Sequence, residues 1–466
     1  MATHQPPTSS PTAAQDEIAN PNNPNPNDGL TYNNGTLKGD ELEIKDEDII
    51  TVTSIRLSEH RYTILSLAPP SDTNPETKAP AFSLQTTHAK SLPKEFLRKH
   101  QFQGLPSYLG PDSYLPILVS TVSGTGLAPS FLEEVLRPVL NAIGLSEPQY
   151  EVIRTESTES ILQFAKGKLL RGANEGRGQT VILLSGDGGV VDIINGLLQD
   201  GDRSSTCVPP SLIQMPLGTG NALFHTLHKQ SPLPSLYIQA LRTLLTGTSK
   251  PLPKFSASFS PGSRLLTNEG QTATPIPNNK IHGAVVASYG LHSTLVADSD
   301  TVEYRKHGAK RFGLVAKDLL FPDSGAPHKY LASVTLVRNG KEEVLERKEH
   351  TYILATLVSN LEKTFTISPA SRPLDSILRI VHFGAKSGEQ TMDIMKGAYE
   401  DGKHIESANV AYEAIDGFKI SFQEGGESWK WRRCCVDGLI VGVEEGGWVE
   451  VKMGKGEEVV RIVSDL

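Results

Sequence analysis

The chain has 466 residues, 38% hydrophobic and 21% charged, with a formal net charge of −8. That length accommodates two or three domains, the composition is that of a globular protein, and the acidic balance excludes a nucleic-acid binder, which needs a basic face to displace counterions. Three cysteines (Cys207, Cys434 and Cys435) are too few for a disulfide framework and point to a reducing compartment.

No apolar run reaches the roughly 18–20 residues of a membrane span, and the first ten residues lack a charged-then-apolar signal pattern. The expected location is therefore cytoplasmic, with any membrane contact peripheral.

Residues 1–40, rich in Asn, Pro, Thr and Ser, read as a disordered tail, because such a stretch buries too little apolar surface to offset its ordering entropy. Residues 41–112 read as a small β-rich extension, with strands at Ile49–Leu57, Tyr62–Leu67 and Phe82–Thr86 and a short helix near Pro93–His100. From Leu115 the pattern changes to strands alternating with helices. Leu115–Ser120 is a short apolar run, and Phe131, Val135, Val139 and Ile143 recur at helical spacing. Tyr150–Arg154 follows as a strand, Ser157–Arg171 as a helix and Val181–Leu184 as a buried strand. This alternation predicts an α/β domain with a parallel sheet over 113–250, binding its ligand at the C-terminal strand ends. Residues 251–466 carry strand after strand, at Phe255–Ser260, Ala284–Ser288, Ala332–Arg338, Thr351–Val358, Leu378–Phe383, Phe418–Phe422 and Trp448–Lys452. They predict an antiparallel β-sandwich with helices inserted at 309–321 and 388–400 and a surface loop at 262–280.

Two glycine-containing segments carry the chemistry. In the first, the buried strand Val181–Leu184 runs into Ser185-Gly186-Asp187-Gly188-Gly189, then a helix bearing Asp192, Asn195 and Gly196. Glycines there let backbone N–H groups approach phosphate oxygens, and the helix N-terminus adds positive potential. In the second, Met215-Pro216-Leu217-Gly218-Thr219-Gly220-Asn221-Ala222-Leu223 again leads into a helix. Either alone is compatible with a tight turn; two such loops on neighbouring strand ends make a two-sided cradle for a polyphosphate.

These segments resemble the diacylglycerol kinase and sphingosine kinase superfamily, whose members share a GDG motif followed by an acid and Asn-Gly, then a G(T/S)GN loop. The resemblance extends over about residues 113–452, through Ala297–Asp300, Glu303–Lys306, Gly308–Phe312, Ile367–Pro369, Leu374-Asp375 and Val436–Gly438. Asn221-Ala222-Leu223 and Ser185 resemble the sphingosine branch, whereas diacylglycerol kinases carry Asp after GTGN.

The resemblance implies a nucleotide-binding α/β domain, a β-sandwich lipid-binding domain, and transfer from ATP with Mg2+ to a lipid primary hydroxyl, a sphingoid long-chain base being the expected acceptor. It implies that Asp187 is the general base and a magnesium ligand, that Asp300 (with Asp298 as rival) holds the substrate head group, and that Arg305 and Arg311 clamp phosphates. It implies that Ser123, Gly124, Thr125, Gly186, Gly188, Asp192, Gly218, Thr219, Gly220 and Asn221 line the nucleotide, and that Asp437 lies near the nucleotide or magnesium. Two departures stand out. The first phosphate loop, Ser120–Gly126, lacks the family's Asn, Pro and basic residue, and Leu439 stands where Asp-Gly-Glu would place Glu. The alternatives are a diacylglycerol or ceramide kinase, or a lipid-binding pseudokinase.

Overall fold

The strands Thr180–Ser185 and Ser211–Pro216 are buried along their whole length. A strand covered on both faces belongs inside a parallel sheet. They pair in parallel from Ser211↔Thr180 to Pro216↔Ser185. The computed structural model describes residues 29–54, 61–68, 82–121, 124–198, 203–323, 325–426, 429–454 and 456–466. The six-stranded sheet runs, edge to edge, Thr248–Pro251, Arg461–Ser464, Ser211–Pro216, Thr180–Ser185, Pro116–Val119 and Glu151–Arg154. All its pairings are parallel except that of Thr248–Pro251 with Arg461–Ser464. One face is covered by helices at 128–142 and Leu236–Thr246, the other by helices at 160–174 and Asp187–Leu198. The α/β class and parallel sheet expected from the alternating pattern are what the chain forms.

The second unit is a fourteen-stranded antiparallel path rather than two separate sheets. Its two halves enclose one core, with Phe255, Phe418 and Val451 from one half and Tyr289, Ile353 and Val441 from the other. The stretch 262–280, expected as a surface loop, contains a hairpin, Arg264–Thr267 with Thr272–Pro275, stitched to Leu439–Gly442. Its short, partly exposed strands give little periodic signal.

Residues 29–40 fall within the stretch expected to be a disordered tail, yet they hold two paired strands. Thr31–Asn33 meets Thr36–Lys38 across a two-residue turn, Asn34-Gly35, with φ of 50° and 72°. Asn-Gly tolerates those positive angles, which makes it a hairpin signal even in a polar stretch. Residues 1–28 lie outside the described residues. A second three-stranded sheet (Ile49–Ser54, Tyr62–Ala68, Ser83–Ala89) and the helix Lys94–His100 complete this N-terminal module. It is tied to the α/β domain by Arg242, whose guanidinium donates to the carbonyls of Ile49 and Asp46.

The final strand, Arg461–Ser464, leaves the antiparallel unit to join the parallel sheet between Ser211–Pro216 and Thr248–Pro251. The two units are also joined by Asn195, whose amide donates to the His282 carbonyl (2.8 Å) and accepts from its N–H (2.9 Å).

Candidate active site

Three loops leave the C-terminal ends of adjacent parallel strands, after Val119, Ser185 and Pro216, and touch one another through backbone. A Cβ added at Gly124 or Gly186 would lie 2.9 Å from Gly218 Cα. The glycines are thus needed first for the loops to pack together. Thr125 donates to the Leu217 carbonyl from its N–H (3.1 Å) and its hydroxyl (3.0 Å), tying the first loop to the third despite its altered residues. Asn221, at φ 53°, accepts from Gly218 N–H (3.0 Å) and donates to the Gly218 carbonyl (2.9 Å). Asn is among the few non-glycine residues at home in that conformation. Ser123 lies outside the described residues.

The open side of this cradle lies at Gly188, Gly126 and Gly220. Gly188 is exposed in the first turn of the Asp187–Leu198 helix, with nothing within 4 Å of an added Cβ. Gly126 is equally open, and Gly220 meets only the Leu361 carbonyl at 3.5 Å. Thr219 is half-buried beside them. Open backbone at a helix N-terminus fits an anionic phosphate chain.

Asp187 opens its helix and faces the next one. Its Oδ2 accepts from Ala222 N–H (2.6 Å) and its Oδ1 from Leu223 N–H (3.1 Å) and Gln214 Nε2 (3.3 Å). An ionised carboxylate has about four acceptor positions, so roughly one remains, on Oδ2. Burial pushes the Asp187 carboxyl above its ordinary range, while the two amides and Gln214 pull the other way. Asp192, one and a half turns along, is half-buried with no hydrogen-bond partner among the described residues, and burial alone pushes it up to about 7.

Asp437 behaves differently. With Gly438 it forms the two-residue turn between Arg433–Val436 and Leu439–Gly442, at φ of 48° and 92°, the Asp-Gly signature of a type I′ hairpin. Its carboxylate accepts from three successive amides, Ala284 (2.6 Å), Val285 (3.1 Å) and Val286. Burial, reinforced by the charge of Asp187, pushes it up to about 7 against those donors. Val285 N–H lies 3.1 Å from both oxygens of Asp437, so four contacts fill its acceptor positions, against three at Asp187, which keeps one open. Among the described residues no three His, Cys, Asp or Glu side chains converge as a metal site. Magnesium commonly shares one or two carboxylates with substrate phosphates; the one open position of Asp187 suits such an ion or the acceptor hydroxyl, not both. Leu439 begins the strand after the turn.

The remaining expected residues gather in a second cluster. Arg305 holds Asp300 with two parallel hydrogen bonds, Nε to Oδ1 at 3.0 Å and Nη2 to Oδ2 at 2.6 Å. Arg311 Nη2 approaches the same carboxylate at 3.6 Å, and its buried Nε has no hydrogen-bond partner among the described residues. Two guanidinium groups on one carboxylate leave one net positive charge. Asp298 instead pairs with Arg433 at 2.7 Å and Lys430 at 3.8 Å. Among the described residues Asp300, Arg305 and Arg311 have no hydrogen bond or ion pair to Asp187 or to the glycine loops. Gln214 and the link made by Asn195 escaped the sequence reading; a glutamine between Ile213 and Met215 in a buried strand was the available signal.

Residues 115–256 match the diacylglycerol kinase catalytic domain. Sphingosine kinase 2 of Homo sapiens is 29% identical over 167 residues, 35% of this chain and 24% of that protein. Sphingosine kinase 1 of Homo sapiens is 21% identical over 356 residues, 68% of this chain and 86% of that one. The matched stretch thus spans about a quarter of the first relative's length. A Bacillus anthracis crystal structure, provisionally described as a diacylglycerol kinase, superposes with TM-score 0.50 at 16% identity, covering 76% of this chain and 96% of that one; it speaks for the fold. Among the described residues no helix is long and apolar enough to cross a membrane. The matched segment holds five of the six strands of the parallel sheet and its three interlocked loops, and over it this chain is similar to the diacylglycerol kinase catalytic domain.

Proposed function

We propose that the protein transfers the γ-phosphoryl group of ATP to the primary hydroxyl of a sphingoid long-chain base. The observation that carries this is Asp187: a carboxylate fixed by two helix N-terminal amides beside an open phosphate cradle, with one acceptor position left. In the reaction Asp187 orients the acceptor hydroxyl and takes its proton as the new O–P bond forms and the bond to the ADP oxygen breaks. Gly188, Gly126 and Gly220 present backbone to the phosphates. Arg305 and Arg311 supply positive charge, and Asp300 would meet a cationic amine only on release from Arg305, which holds both its oxygens. Magnesium, held by the phosphates, would neutralise charge on the transferring group, the one open position of Asp187 being given to the hydroxyl. The relatives described as sphingosine kinases favour a sphingoid acceptor over diacylglycerol or ceramide.

Docking at a membrane surface is supported by the Val302–Arg305 and Arg311–Leu320 helices and their flanks. Val302 (66% exposed), Leu314 and Phe321 stand beside Lys306, Lys310 and Lys317 there. Exposed basic and apolar groups along these helices suit an anionic lipid surface met from the cytoplasm, with Lys306 already paired to Glu303.

The test is transfer from radiolabelled ATP to sphinganine, ceramide and diacylglycerol by the full chain and by Asp187→Asn. Labelled sphinganine phosphate, lost in the variant, is the expected result. Near-wild-type turnover by Asp187→Asn removes Asp187 from its role; label on diacylglycerol and none on sphinganine sinks the sphingoid-base assignment.

A further inference from the structure

Gln214 is a polar residue in the middle of a buried strand, only 4% exposed. Its neighbours Ile213 and Met215 face one hydrophobic cluster, and Leu212 faces the other. By the two-residue period of a strand, Gln214 shares the face of Leu212. An apolar side chain would fill that position with no polar cost. The glutamine instead buries its Oε1 with no hydrogen-bond partner among the described residues, an arrangement native interiors seldom retain without a reason. Its other terminal atom, Nε2, reaches Asp187 Oδ1 at 3.3 Å. The contact crosses from one strand to the loop at the end of its neighbour, and no other side chain is hydrogen-bonded to Asp187 among the described residues.

We infer that Gln214 is a positioning residue for phosphoryl transfer: its carboxamide holds Asp187 in the orientation that leaves an acceptor position on Oδ2 for the incoming hydroxyl. The inference rests on the proposed reading of Asp187 as the group that receives the proton. The two backbone donors, Ala222 and Leu223, anchor the carboxylate along one edge. The Gln214 amide adds a third point, and three points fix the plane of a carboxylate where two leave it free to rock. With Nε2 aimed at Asp187, Oε1 is left buried without a donor among the described residues.

The test is Gln214→Met in the full chain, which keeps length and volume but removes the donor, with Gln214→Leu as a second variant. A donor kept for positioning at a cost to folding predicts a melting temperature equal to or above wild type. It also predicts a kcat at least about tenfold lower, with KM for ATP and sphinganine unchanged within about twofold. In the double variant Asp187→Asn/Gln214→Met, the second change should remove no further activity, because the two residues act as a unit. A kcat within twofold of wild type in either folded single variant overturns the inference. So does a loss of kcat matched by a loss of melting temperature, failure of both variants to fold, or strictly multiplicative losses in the double variant. Turnover retained by Asp187→Asn overturns the underlying reading of Asp187; an inactive Asp187→Asn beside a fully active Gln214→Met overturns only the role of Gln214.

Discussion

Replacing Asp437 separates a structural carboxylate from a ligand-binding one. Its side chain is 7% exposed and accepts from three amides of the Ala284–Val286 segment, which are themselves buried. Asp437→Ala leaves three donors unpaired at about 1–3 kcal/mol each, roughly 3–9 kcal/mol together. It also places a side chain without local hydrogen bonding at φ 48°, worth about 1–2 kcal/mol more. Such a loss is comparable with the whole stability of a domain, about 5–15 kcal/mol. Asp437→Asn keeps the turn geometry and one carbonyl oxygen, so its cost should be that of a single lost acceptor, about 1–3 kcal/mol. Asp437→Gly relaxes the turn but restores no acceptor, and should remain close to the alanine variant. The assay is urea unfolding followed by intrinsic fluorescence, since all three tryptophans, Trp429, Trp431 and Trp448, lie in the antiparallel unit. The expected order of midpoints is wild type, then Asn, then Gly and Ala together. Recovery of wild-type stability by Asp437→Gly, or an alanine variant within about 1 kcal/mol of wild type, would refute the hydrogen-bond reasoning.

A Cβ at Gly218 would press on Gly186 Cα and lie 2.8 Å from Asn221 Oδ1. Gly218→Ala should therefore cost about 1–3 kcal/mol by overpacking and weaken ATP binding at least tenfold by calorimetry; unchanged affinity would show that the loops are not the cradle. Asn195→Leu removes both hydrogen bonds to His282 and leaves two backbone groups unpaired, so a loss of roughly 2–6 kcal/mol is expected in chemical unfolding. For Asp192 the folded carboxyl sits at about 7 against an ordinary 3.8. A raised acid favours folding fully at low pH, and that contribution is lost as pH rises from about 4 through 7. Asp192→Asn should match wild type near pH 4 and exceed it in melting temperature at pH 8; equal values at both would show that the carboxyl titrates normally.

The parallel sheet and the glycine loops were legible in the sequence because their requirements are local. A wholly apolar run such as Val181–Leu184 can only be a strand or helix buried on both faces, and a glycine placed before and after an acid advertises a backbone approach that any Cβ would block. The Asn34-Gly35 hairpin carries a local signal of the same kind, but the composition around it led to the expectation of a disordered tail. The pairings that define the site were not legible. Asp437 meets amides 151–153 residues earlier, and Gln214 meets an acid 27 residues away across a strand boundary. Asp300 looks like a free head-group ligand until the helix Val302–Arg305 and the start of Arg311–Leu320 bring two guanidinium groups onto it. The last strand, Arg461–Ser464, follows a run of antiparallel strands in sequence, yet it fills a slot in the parallel sheet, with Arg461 opposite Ser211, 250 residues earlier. Residue type and spacing encode the periodicity of an element and the angles of a turn, because those are set within a few residues. Which carboxylate keeps a free lone pair is set by the amides that happen to face it, and only the packed chain decides that.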